Sequence, residues 1–395
     1  MLASQILFIL GLFLVLATLP LLAELMALTG AALAPSARVG KDDGESELPL
    51  LTVLVPAHNE EALIARCIRS LRSSTGAGFE VLVIAHNCSD ATATEAEAAG
   101  ARVLELNDPD QRGKGCALSY GFSAAMAGNS QAVLVIDADS VVDSGLITTV
   151  QRRFKSGARA VQCRYEVYNS KSSGRTRLMT LAFYAFNIIR PRGRARLGLS
   201  AGILGNGFAL HRDVLMRIPY IAHSVVEDLE YHLALVRADI CVEFIDTDAV
   251  RGEMPVTKKS AETQRARWEG GRLRMMKQWA PELMGDVLRG QTRLMEPLLD
   301  LVSLPIALEV TLLLVAACLP FLWLRVYVLA AFAVLFAHVF TAALSGPGFW
   351  ETMRALSTAP AYVLWKLWML PKIWRTSRAN AAWVRTERVA PADGQ

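Results

Sequence analysis

Apolar residues are distributed along this chain in three ways. From Ser4 to Ala34 they are almost continuous, broken by Pro20 and Glu24, and about 20 such residues suffice to cross a bilayer. A secretory signal peptide is the competing reading. It would want a basic start and a small-residue cleavage site, and no Lys or Arg precedes Arg38, so a retained membrane helix over 1–34 is expected. Residues 35–48 are polar, charged and glycine-containing, and read as an exposed linker.

The middle, 49–274, alternates. Leu50–Val55, Phe79–Ala85, Arg102–Leu106 and the run ending at Asp137 read as strands, because they are short and nearly all apolar. Glu60–Leu71, Ala91–Ala99 and Lys114–Ala127 lie between them with helical spacing. That alternation predicts an α/β domain with a mostly parallel sheet and helices on both faces. Past Asp139 the pattern loosens. Ala158–Tyr165 and Cys241–Ile245 read as strands, Arg175–Ile189 and Glu227–Arg237 as helices, and Gly202–Leu210 is glycine-rich. A long basic helix follows from about Ser260, its 275–297 stretch expected at a membrane surface.

The last third is apolar again. Leu298–Leu324 and Val326–Leu344 are separated by Arg325 alone, which predicts a tight membrane hairpin over 298–344. Residues 349–374 mix Trp350, Trp365, Trp368 and Trp374 with Lys366 and Lys372. Tryptophan and lysine together mark a membrane–water boundary, so an interfacial helix is expected, with a third C-terminal span as the alternative. Arg375, Arg378, Arg385 and Arg388 follow in a basic tail, 375–395. Basic flanks lie on the cytoplasmic side, which predicts a plasma or inner membrane protein with its middle domain in the cytoplasm. Asp300 falls near the expected membrane surface. Glu309 lies deeper, where a carboxyl is costly without a partner.

Composition agrees with that division. The chain is 53% hydrophobic and 20% charged, more apolar than a soluble protein of its length, and the excess sits at its ends. A net charge of +4 gives no general nucleic-acid binder. The six cysteines show no CxxC spacing, which argues against zinc and disulfide frameworks and fits a reducing compartment.

The chemistry gathers at expected strand ends. Val133-Leu-Val-Ile-Asp137-Ala-Asp139-Ser140 is a buried strand stopping in two carboxylates one residue apart. Ligands of open α/β sheets bind beyond the carboxyl ends of strands. Two carboxylates that close repel unless a cation or proton sits between them, and a divalent ion carrying a phosphate suits them. An acidic turn is the bland alternative. Val55-Pro56-Ala57-His58-Asn59-Glu60-Glu61 and Ala85-His86-Asn87-Cys88-Ser89-Asp90 end two further strands, with Asn59 expected as a helix cap. Arg112-Gly-Lys114-Gly offers a lysine at a helix start, a good diphosphate contact. Glu227-Asp228 opens a helix, where capping is the default role. Gln264-Arg-Ala-Arg267-Trp268 on a helix puts Gln264 on one face with Arg267 and Trp268, three and four residues on.

In this order the set resembles the family 2 inverting glycosyltransferases of GT-A (Rossmann-like) fold. It is most similar to the membrane-embedded branch of cellulose, hyaluronan and chitin-oligosaccharide synthases and ceramide glucosyltransferases. The resemblance covers about Leu50 to Arg274. It implies a metal-dependent hexosyltransferase in which Asp139, with Asp137, holds Mg²⁺ or Mn²⁺ on the diphosphate of a nucleotide sugar. By the same resemblance Pro56, Ala57 and Glu60 hold the nucleoside and Lys114 and Arg267 contact the diphosphate. Asp228, beside Glu227, is the general base. Gly205-Asn206-Gly207, Gln264 and Trp268 border the acceptor. His86 departs from the pattern, standing where many relatives have an aspartate against uracil, while Asp90 is retained. UDP is the default donor nucleotide and GDP the alternative.

The implied reaction is transfer, with inversion to a β-linkage, onto a lipid-type or short-glycan acceptor at the bilayer. Processive polysaccharide synthesis is the runner-up, and a membrane scaffold with a degenerate transferase domain is the reading from another class. Oligomerisation is left open.

Overall fold

The fold is described from a computed structural model covering residues 1–35, 47–170, 174–221, 226–255 and 257–377. Most of the expected linker and the tail with Arg378, Arg385 and Arg388 lie outside the described residues. The chain forms two units. A sheet unit takes the described residues of 47–170 and 200–264, and a helical unit those of 1–35, 174–199 and 265–377.

The sheet unit is built on β1 (Leu51–Ala57), β2 (Phe79–His86), β3 (Arg102–Leu106), β4 (Ala132–Val135), β5 (Val141–Val142), β6 (Ala160–Val167), β7 (Phe208–His211) and β8 (Val242–Gly252). Their order is β3-β2-β1-β4-β7-β6-β8-β5. The pairs β2–β3, β1–β2, β1–β4 and β6–β8 are parallel, whereas β7 runs antiparallel to both β4 and β6, and β5 antiparallel to β8. The expected α/β class with a mostly parallel sheet is therefore observed. Each face carries its own core. Val53, Val55, Leu134 and Ile136 point to one, with Ile64, Ile68 and Val150. Leu54, Leu82, Val133 and Val135 point to the other, with Leu118 and Phe122. The near-continuous apolar runs reflect this, since a strand buried on both faces has no position to spare for polar residues.

The strand order reverses between β1 and β4, which opens a crevice beyond their carboxyl ends. There the antiparallel return of β7 matters. Phe208 pairs with Val135, so residues 205–207 arrive directly beside the end of β4.

One local expectation is corrected. Asn59 is not a helix cap, and the helix starts later, at Ile64–Arg72. Asn59 adopts a left-handed φ of 55° and spans to the β2 end. Its Oδ1 accepts from the Ser89 N–H at 2.7 Å and its Nδ2 donates to Ser89 Oγ at 3.2 Å. Glu60 and Glu61 are likewise tied down, their N–H groups donating to Thr92 Oγ1 and Asp90 Oδ2.

In the helical unit, Leu2–Ala32 and Leu322–Ser345 are long and apolar enough to cross a membrane. Thr292–Val302 and Ile306–Ala317 make a third candidate span only if counted together across their 77° bend. The bend falls at Ser303–Pro305, where proline cannot continue the preceding helix. The connection to Leu322–Ser345 falls at Cys318–Phe321, around Pro320, so Arg325 lies inside a helix rather than at the turn. Leu2–Ala32 and Leu322–Ser345 run parallel. Thr18 Oγ1 bonds the Tyr327 hydroxyl at 2.7 Å, and three turns on Thr29 Oγ1 bonds His338 Nδ1 at 2.7 Å.

Polar groups inside this unit are collected into a neutral knot. Arg190 pairs with Glu24 and Asp300, Arg194 with Glu296, and Arg272 with Asp300 at 3.0 Å. Three cations thus meet three carboxylates, as buried charge requires. Gly193 fits closely against the first helix, since a Cβ there would stand 2.2 Å from the Leu28 carbonyl oxygen. Helix Ala359–Thr376 packs Met369 and Ile373 on Ala266, with Lys366 on Glu269, and leaves Leu364, Trp368 and Trp374 exposed.

Candidate active site

At the end of β4 the chain turns through Asp137-Ala-Asp139-Ser140, and two neighbouring segments fix this turn. Asn206, between Gly205 (φ +76°) and Gly207 (φ +72°), is 1% exposed. Its Oδ1 accepts from the Asp137 N–H at 3.0 Å and its Nδ2 donates to Ser140 Oγ at 2.9 Å. Ser140 Oγ donates in turn to Asp139 Oδ1 at 3.2 Å. One buried amide therefore orients both aspartates. Asn206 is itself held, its carbonyl accepting from Gln162 Nε2 at 2.8 Å. Tyr165 bonds it too, and loss of hydration, then the Asp137 charge, keep that phenol protonated.

Lys114 opens the helix Lys114–Ala127 after Gly113, whose φ of 100° aims the helix start at this crevice. Its ammonium pairs with Asp137 and donates to the Gly205 carbonyl at 2.5 Å. On the far side of Gly205 lies Asp228, in the first turn of Glu227–Arg237. A Cβ on Gly205 would stand 3.0 Å from Asp228 Oδ2, so glycine is needed both for the left-handed turn and for the approach of the carboxylate. Loss of hydration raises the Asp228 carboxyl above its ordinary value. The Leu229 N–H, at 2.8 Å from Oδ1, and the Lys114 charge oppose the shift, and Asp137 adds to it. Glu227 is half-buried beside it.

A second group forms at the ends of β1 and β2. Pro56 and Ala57 finish β1, in register with Ile84 and Ala85. His86 is buried and donates through Nε2 to the Gln111 carbonyl at 2.9 Å, while His58 Nδ1 donates to the His86 carbonyl at 2.7 Å. Burial lowers the His86 imidazole pKa, so it is neutral at pH 7. Asn87, with φ 50°, binds Asp108 through both its amide ends. Burial works against ionisation of Asp90, but Thr92 and the Glu61 N–H outweigh it and hold the carboxylate below its usual range. His86 and Asp90 thus spend hydrogen-bonding groups on the loops that wall the crevice.

Gln264 is buried, its Oε1 lacking a partner among the described residues. Arg267 and Trp268 lie in the helical unit's share of the helix Lys258–Leu288, which begins at Arg265, and the Arg265 guanidinium stands 6.0 Å over the Trp268 ring.

Among the described residues no three His, Cys, Asp or Glu side chains converge as a metal cage. The aspartate pair fits a hard divalent cation of the kind held by one or two carboxylates together with substrate phosphate oxygens. Sequence reasoning did not find Asn206 as an orienting residue, nor Tyr165, Gln162, Arg66 or Cys67 around the turn. Ser140, adjacent to Asp139, was the one with a local signal.

Residues 49–271 match the family model described as "Glycosyltransferase like family 2". A probable glycosyltransferase, YdaM, of Bacillus subtilis (strain 168) is 26% identical over 238 residues, covering 57% of this chain and 56% of its own. A beta-monoglucosyldiacylglycerol synthase of Trichormus variabilis is 29% identical over 247 residues, covering 60% of this chain and 52% of its own. The chain thus spans about half the length of the curated relatives it matches. Among solved structures, the mannosyltransferase PcManGT from Pyrobaculum calidifontis, in complex with GDP-Man and Mn²⁺, superposes with a TM-score of 0.56 at 16% identity. The match covers 94% of this chain and 97% of that one, and it is a likeness of fold.

Proposed function

Because the chain belongs to the glycosyltransferase-like family 2, we propose that it transfers a sugar with inversion from a nucleoside diphosphate sugar to a lipid-type acceptor at a membrane. The observation that carries this reading is the run Asp137–Lys114–Gly205–Asp228. A carboxylate pair, a cation and a carboxyl of raised pKa line up within one crevice at the strand-order reversal.

The roles follow from chemistry. Asp228 takes the proton from the acceptor hydroxyl as that oxygen attacks the anomeric carbon. A raised carboxyl pKa makes it a stronger base than a surface aspartate. Lys114 turns from Asp137 to the diphosphate and balances the charge that builds on the leaving group. A divalent cation, Mg²⁺ or Mn²⁺, would be held by Asp139 with Asp137 and would supply further neutralisation of the diphosphate. The loops carrying Pro56, Ala57, Glu60, His86 and Asp90 wall the nucleoside, with UDP the default. Gly205 to Gly207 and Gln264 border the acceptor. Attack from the face opposite the leaving group gives a β-linkage from an α-linked donor.

Two features support a lipid acceptor over a growing polymer. Two or three candidate spans are few to enclose a polysaccharide channel, and one relative is a glucosyldiacylglycerol synthase. The parallel course of Leu2–Ala32 and Leu322–Ser345 supports a single membrane side for the two segments that follow them. Exposed Trp368 and Trp374 support a helix lying at that surface. The test incubates the purified protein with labelled UDP- and GDP-sugars, Mg²⁺ or Mn²⁺ and extracted lipids. Label in the lipid phase bears the proposal out. A long polymer, or no turnover of any nucleotide sugar, overturns it.

A further inference from the structure

The helix Ile64–Arg72 holds the backbone of the Asp137–Val142 turn at three points. Cys67 Sγ lies 3.6 Å from the Asp137 carbonyl, Arg66 Nη2 donates to the Asp139 carbonyl at 3.2 Å, and Ser70 Oγ accepts from the Val142 N–H at 3.3 Å. Burial, then the Asp137 charge, push the Cys67 thiol up to about 12, so it stays protonated and serves as a weak donor. Arg66 is the only charged member. The same Nη2 donates to Glu253 Oε1 at 2.7 Å, and the guanidinium lies 4.9 Å over the Tyr168 ring. Its Nε is buried without a partner among the described residues. The arginine therefore reaches the turn and Glu253 through one nitrogen.

We propose that Arg66 and Glu253 are positioning residues for Asp139, fixing the backbone from which its carboxylate is presented to the cation of the nucleotide diphosphate. This rests on the function proposed above. Three elements converge on the guanidinium: the helix after β1, Tyr168 just after β6 and Glu253 just after β8. Glu253 also balances the arginine's charge, so the pair adds no net charge beside the diphosphate crevice. Without Glu253, the unpaired guanidinium is free to compete with the cation for the aspartates of the same turn or to release the Asp139 carbonyl. Either movement weakens cation binding. Partners that orient a metal's ligands typically contribute 10–100-fold in affinity.

The experiment uses the full chain in detergent and titrates Mn²⁺ in the presence of UDP, and separately of GDP, reading free Mn²⁺ by electron paramagnetic resonance. Glu253→Ala is expected to weaken Mn²⁺ binding about tenfold, with turnover at saturating Mn²⁺ kept within about twofold. Glu253→Gln retains the acceptor oxygen and should recover part of the affinity. Arg66→Lys keeps the charge without the planar fork, covers a misfolded Glu253→Ala and should also weaken binding. Wild-type affinity in these variants, or a loss of melting temperature with no loss of affinity, overturns the proposal. Asp139→Asn separates the two levels. If it too binds Mn²⁺ like wild type, the diphosphate-site reading falls and the positioning role with it.

Discussion

Replacing Asp228 with asparagine separates catalysis from stability in a way the site geometry predicts in sign and size. Asparagine keeps the shape and can still accept from the Leu229 N–H, which donates to Oδ1 at 2.8 Å, but it cannot take a proton. Loss of a positioned general base costs about 10²–10⁴-fold in turnover. Donor binding should be nearly unchanged, because Lys114 and the aspartate pair are intact. The stability sign is opposite. A carboxyl whose folded pKa lies above its unfolded value of about 3.9 binds its proton more tightly in the folded state. Stability therefore falls as pH rises from the unfolded pKa through the raised folded one, and the loss is complete above both. At pH 8 the asparagine variant should melt at or above the wild type, and the advantage should vanish below about pH 4. The assays are label transfer with a nucleotide-titration control and melting curves across that range. Retained transfer would show that another group is the base. A lower melting temperature at pH 8 would refute the account of Asp228 as a carboxylate held against its preference.

Other substitutions test the remaining parts. Asp139→Ala should abolish transfer and its dependence on Mg²⁺ or Mn²⁺ together, and wild-type turnover in chelator would sink the assignment. Gly205→Ala places a Cβ 3.0 Å from Asp228 Oδ2 at a φ of +76°. The left-handed backbone alone costs about 1–2 kcal/mol, and turnover should fall further than the melting temperature accounts for. Gly193→Ala drives a Cβ to 2.2 Å from the Leu28 carbonyl oxygen and should lower the yield of folded protein in detergent. An unchanged melting curve would mean the helices part freely. Among the described residues Glu309 is wholly buried with neither oxygen partnered, and an unsatisfied buried polar group costs about 1–3 kcal/mol. Glu309→Leu should therefore raise the melting temperature, and a fall would mean that the carboxyl has a working partner.

Much of the sheet unit was legible because its strands are buried on both faces. Leu50–Val55 and Phe79–Ala85 read as strands since burial leaves them almost no polar residue. The Asp137-Ala-Asp139 pair drew its meaning from the motifs around it, since two acids at a strand end can equally be a plain turn. The candidate spans Leu2–Ala32 and Leu322–Ser345 were legible by length, because crossing a bilayer takes about 20 apolar residues, whereas the 77° bend between Val302 and Ile306 was not. The details that failed were local choices made by distant partners. Asn59 looks like a helix cap in isolation, yet Ser89 takes it into a cross-strand turn. Arg325 looks like a turn in an apolar stretch, yet Pro320 sets the connection and the arginine is carried on a helix.

The sequence by itself determined the element types, the family resemblance and the residue types that can bind a diphosphate or move a proton. Tertiary structure decided which of them act together. Asn206 reaches the Asp137 N–H across 69 residues and Arg66 reaches Glu253 across 187, and neither pairing has a periodicity to announce it. The antiparallel return of β7 brings the 205–207 loop to the aspartates. The raised pKa of Asp228 likewise belongs to its surroundings, because desolvation and neighbouring charge are properties of a folded crevice, whereas burial patterns and span lengths are written residue by residue.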